Sequence, residues 1–168
     1  MIDAADFAKA TGIEPASEQV QRLDAKVKKI AQDIGLDHKV SFQTECSFCG
    51  YTDFAFIATF KAWERPEQEI LVGVGILSQK ESDLAAFGDV LPSFQQVSDD
   101  FLSLTEDERI QAVLVHEKVE LEAAKSGVSD PHRYAVANSP KTDMKISPRV
   151  RQHLELYART DRACYGGF

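Results

Sequence analysis

The chain has 168 residues, enough for one domain that buries a core without disulfide or metal staples. Its hydrophobic share of 43% and charged share of 27% are those of an ordinary soluble globular protein. The net charge of −8, from 27 acidic against 19 basic residues, excludes the clustered Lys and Arg surface that nucleic-acid binding requires.

The chain starts Met1-Ile2-Asp3-Ala4-Ala5-Asp6, with neither the basic nor the apolar region of a secretory signal. A cytoplasmic location is therefore expected, and export without a cleavable signal is compatible with the same residues. The longest apolar segment, residues 70–77, is too short to cross a bilayer, so no membrane association is expected. Residues 3–11 read as a short helix stopped by Gly12. Val20, Leu23, Val27, Ile30 and Ile34 recur at spacings of three and four, which predicts a helix ending at Gly35. The period then changes to two: Val40, Phe42, Thr44 and Cys46 alternate with polar residues, as a half-buried strand does. Residues 54–63 and 70–77 read as second and third strands around a turn at 64–68, and the short connections predict an antiparallel meander. Val90, Phe94, Val97, Phe101 and Leu104 return to helical spacing. A long helix follows over about 104–127. A short one starts at Asp130-Pro131 and ends near Asn138, and a last one starts at Ser147-Pro148 with Val150, Leu154 and Tyr157 on one face. The expected fold is a single α+β domain over 1–168, a small antiparallel sheet packed on helices, with its core at roughly 18–158 and loose ends.

The long helix carries the chemistry. Thr105 with Glu108 three residues on forms a capping box, and Gly127 is a natural stop. Between them lies His116-Glu117-Lys118-Val119-Glu120. His116 and Glu120 share one helix face a turn apart, so an imidazole and a carboxylate can reach one divalent metal, with Glu117 beside them as a general base. Lys118 must face solvent or pair with an acid such as Glu122. Val113 and Ala124 continue the His116–Glu120 face, and a charged pair within an apolar stripe calls for a partner such as a cation. Of the remaining histidines, His132 is the preferred third ligand, because a tight turn at Gly127 folds it back over the helix. His153 is the alternative, and His38 is the weakest. The competing reading makes Glu117, Glu120 and Glu122 a solvated face beside a lone histidine.

This H-E-x-x-E stretch resembles the H-E-x-x-H helix of zincin metallopeptidases, with glutamate in place of the second histidine. The resemblance implies a zincin-like core, zinc held by His116, Glu120 and a downstream residue, and Glu117 as the base that activates water. Gly127 followed by His132-Arg133-Tyr134-Ala135 is also similar to segments of bacterial toxin-associated domains.

Cys46-Ser47-Phe48-Cys49-Gly50 has the shape of half a zinc knuckle. It supports a structural zinc, a redox pair, or two small residues in a turn. With Cys164 the cysteines number three, an odd count that favours a reducing compartment. The preferred function is a zinc-dependent hydrolase, a peptidase acting on a peptide or protein held along the rim of the third strand. The rivals are a non-catalytic protein of the same shape and a small acidic interaction domain without metal.

Overall fold

The computed structural model describes residues 18–37, 39–42, 59–63, 69–73 and 91–167. Helix α1 is Glu18–Ile34. The strands β1 (Lys39–Phe42), β2 (Thr59–Trp63) and β3 (Glu69–Gly73) follow. Then come α2 (Leu91–Ser103), α3 (Glu106–Lys125), α4 (Pro131–Asn138), a 3-10 turn at Ser139–Lys141, and α5 (Pro148–Tyr165).

The described residues are mainly helical, which overturns the expected α+β fold with a small antiparallel sheet and a zincin-like core. Five helices supply most of the described core. The strands are short and do not form a meander. β3 lies between the other two, parallel to β1 (Lys39 opposite Glu69, Phe42 opposite Val72) and antiparallel to β2 (Thr59 opposite Gly73, Trp63 opposite Glu69). Alternating apolar residues reveal that a segment is extended but not which strand it pairs with, so the meander rested on chain order alone. The central place of β3 also removes its rim as a strand-addition edge, since both sides are already paired.

The helical expectations fare better. Leu23, Val27, Ile30 and Ile34 are buried on one face of α1, and Gly35 ends it at φ +82°, a left-handed conformation that favours glycine. The backbone N–H of Phe42 donates to Asp24 Oδ1 at 2.9 Å, fastening β1 to α1. Phe94, Val97 and Phe101 of α2 are buried, as are Leu114, Val115 and Leu121 of α3 and Val150 and Leu154 of α5. Each such side chain contributes roughly 1.5–3 kcal/mol by leaving water.

Polar ties set how the helices meet. Arg22 and Lys26 of α1 reach Glu106 at 2.9 and 2.6 Å, and Lys26 reaches Asp107 at 2.7 Å. These acids sit in the first turn of α3, where the helix dipole also favours them. The N–H of Ser147, the N-cap of α5, donates to Gln111 Oε1 of α3 at 3.0 Å. The last helix runs to Tyr165, past the end of the expected core near 158 and into the expected loose end. The proposed helix at 3–11, His38, and the pair Cys46 and Cys49 lie outside the described residues.

Candidate metal centre

Helix α3 opens as its capping box predicts, with Thr105 Oγ1 accepting from the Glu108 N–H at 3.2 Å. Its other end places the third ligand. The Val128 N–H donates to the Ala123 carbonyl at 3.0 Å and the Gly127 N–H to that of Ala124 at 3.1 Å, with Gly127 at φ +78°. This is a Schellman turn. The chain reverses there and re-enters a helix at Asp130, whose carboxylate accepts from the Arg133 N–H at 3.1 Å, while Pro131 starts α4. α4 therefore returns against α3, and His132 in its first turn faces the His116–Glu120 face.

Three ligand atoms meet there. His116 Nε2 lies 3.1 Å from Glu120 Oε2 and 3.2 Å from His132 Nδ1, and His132 Nδ1 lies 3.3 Å from Glu120 Oε2. Hydrogen bonds account for two of the three edges, since each ring N–H can donate to Glu120 Oε2, and leave the two ring nitrogens 3.2 Å apart with no proton between them. The carboxylate brings no proton and each ring nitrogen brings at most one, so two protons must serve three edges. A cation shared by the three atoms serves all of them. With metal–ligand bonds of about 2.0–2.1 Å, two ligands of a tetrahedral zinc lie about 3.3 Å apart, which the three edges match.

The surroundings suit a ligand set of this kind. The His116 side chain is 14% exposed, that of Glu120 31% and that of His132 57%, so the cluster opens to solvent on the His132 side. The Tyr157 ring of α5 stacks on His116 with centroids 6.5 Å apart and planes 14° apart. The His132 ring meets His116 edge-on at 4.9 Å. Burial pushes the Glu120 carboxyl up, but hydrogen bonds from His116 and His132 more than reverse this and hold it at about 2. Glu120 is thus ionised, the state a ligand needs.

His153, the alternative ligand, is elsewhere. It is 4% exposed, its ring lies 5.4 Å from that of Phe101, and its Nδ1 is 2.8 Å from Asp100 Oδ2. Arg149 Nη2 grips the other Asp100 oxygen at 2.6 Å. Burial lowers the His153 pKa, Asp100 opposing it. His153 is a core residue that ties α5 to α2. Glu117 is half-buried on α3. Lys118 pairs with Glu122, as its position on the helix suggested. Ala124 is exposed, so the apolar stripe does not continue beyond Glu120 as expected. Cys164 is a free, half-buried thiol on α5. Tyr157, expected only on the apolar face of the last helix, and Arg133 border the site, because nothing in helical spacing tells which residues of α5 meet α3 and α4.

No family model matches the chain, and neither a curated protein nor a solved structure matches it.

Proposed function

We propose that the protein is a zinc-dependent hydrolase whose metal is held by His116, Glu120 and His132, with a peptide or protein as substrate. The observation that carries the reading is the triangle of ligand atoms with edges of 3.1, 3.2 and 3.3 Å. Two histidines and one glutamate are the donor set of several catalytic zinc sites, and three protein ligands leave a fourth position open. The exposure of His132 supports an open side at this centre. A zinc ion held by His116, Glu120 and His132 would supply Lewis acidity and lower the pKa of water at this centre. Glu117, beside His116 in the sequence, would serve as the general base. The peptide substrate rests on the resemblance of residues 116–120 to the metallopeptidase helix.

The test is elemental analysis of the purified protein, in parallel with His116→Ala and with the Cys46→Ser/Cys49→Ser double variant. Zinc lost with His116 and kept without the cysteines supports the reading, and a screen of peptide substrates follows. Zinc lost only with the cysteines moves the metal to a structural site, and metal-free wild type overturns the proposal.

A further inference from the structure

The most exposed of the three ligands sits on the least self-sufficient helix. α4 has eight residues, well below the roughly 12–15 at which an isolated helix becomes marginally stable in water. Its position comes from contacts with its neighbours: Ala135 and Val136 are buried, and Arg133, beside His132, adds polar ties. The Arg133 N–H is held by Asp130 at 3.1 Å. Its guanidinium reaches across to α5, where Nη2 lies 2.8 Å from the Gly166 carbonyl oxygen and 3.4 Å from Asp161 Oδ2. Asp161 is buried at 8% exposure. The guanidinium carbon also lies 6.0 Å from the centre of the Tyr165 ring. Arg133 is thus fixed at both its backbone and its side-chain end.

We propose that Arg133, gripped by Asp161 and the Gly166 carbonyl, is a positioning residue for His132, so that metal binding and the last turn of α5 are coupled. The inference rests on the metal reading above and adds a dependence that the ligand set alone does not contain. Releasing the guanidinium removes the tie between the first turn of α4 and the end of α5, and His132, the most exposed of the three ligands, shifts relative to the other two ligand atoms. Coupling is reciprocal: if the clamp strengthens metal binding, the metal strengthens the clamp by the same factor.

The experiment compares full-length wild type, Asp161→Asn, Arg133→Met and His132→Ala, with His116→Ala as the blank. Zinc affinity is measured by competition with a chromophoric chelator. The visible spectrum of the cobalt-substituted protein reports the ligand set. Asp161→Asn keeps the shape of the side chain and removes only its charge, and Arg133→Met keeps most of the stem. Both are expected to retain the helical circular dichroism of the metal-free wild type, to bind zinc about 10-fold or more weakly, within the range seen for residues that support a ligand, and to shift the cobalt spectrum toward that of His132→Ala. Zinc should also slow hydrogen exchange at the Gly166 amide, which donates to the Arg162 carbonyl at 2.9 Å, in wild type but not in His132→Ala. Wild-type zinc binding with unchanged affinity and spectrum in both variants overturns the coupling and leaves the metal site standing. Wild type that binds no more zinc than His116→Ala overturns both.

Discussion

The roles proposed for His116, Glu117 and Glu120 are distinguishable by substitution. His116→Ala removes a ligand and is expected to weaken zinc binding by more than about 100-fold, beyond the loss typical of a supporting residue; equilibrium dialysis checks it. Glu117→Gln keeps the volume and removes the base. It is expected to leave metal content unchanged and lower the hydrolytic rate by about 100- to 10,000-fold, the usual contribution of a positioned general base. Loss of metal in Glu117→Gln, with Glu120→Ala fully loaded, would exchange their assignments. His116 and Glu120 were legible in the sequence because helical spacing alone puts residues four apart on one face. The same rule allowed His153 as a rival ligand. A position on a helix face says that a side chain points inward but not what it meets, and the partner of His153 proved to be Asp100, 53 positions away in the chain.

At the scale of elements, the reversal between α3 and α4 decides whether the cluster exists. Gly127→Ala places a Cβ on a residue at φ +78°. No atom lies within 4 Å to clash with it, so the expected cost is one of backbone conformation, about 1 kcal/mol. Because the Schellman turn also aims His132, zinc affinity should fall together with the unfolding free energy. Thr105→Ala at the opposite end of α3 should cost a similar ~1 kcal/mol through the lost cap and leave zinc affinity unchanged. Parallel urea melts and zinc titrations of the two variants separate aiming from stability. This reversal could be read from the sequence because Gly127 stops one helix and Asp130-Pro131 starts the next, leaving no length for another path. The strands could not be read in this way. Val40 and Phe42 reported an extended segment with a buried face, but the parallel pairing of β1 with β3 is a long-range arrangement that alternation within either segment does not specify. The clamp of Arg133 on Asp161 was equally hidden, since it arises where α4 crosses α5.

Across the described residues, three ionisable groups that tie helices together, His153, Asp100 and Glu106, make stability fall with acid. Burial holds the His153 pKa below its ordinary 6.5, so the neutral form is favoured on folding, and that contribution is lost as pH falls below 6.5. The Asp100 carboxyl is raised by burial but lowered on balance by Arg149 and His153, to below 3.8. Glu106 is held at about 2, chiefly by the hydrogen bond from Arg22, and its contribution is present above 4.5 and lost between there and 2. Glu106 is partly exposed, so its share is small and should shrink in high salt. The proposed metal would provide a larger and separable lever. A ligand that binds only the folded state at 1,000 times its Kd adds about 4 kcal/mol, and in a protein of this size each kcal/mol shifts Tm by about 2–4 °C. Chelating zinc from the saturated protein at pH 7, where the carboxylates are ionised, is therefore expected to lower Tm by about 8–16 °C, and adding zinc back should restore it. His116→Ala should melt at the chelated temperature whether or not zinc is present. A chelator shift that survives in His116→Ala but vanishes in the Cys46→Ser/Cys49→Ser variant would assign the stabilising metal to the cysteines. In wild type, scans from pH 8 to 5 should show Tm falling with acid as His153 takes up a proton. The decline driven by His153 should persist in the chelated protein, because that residue lies in the core between α2 and α5.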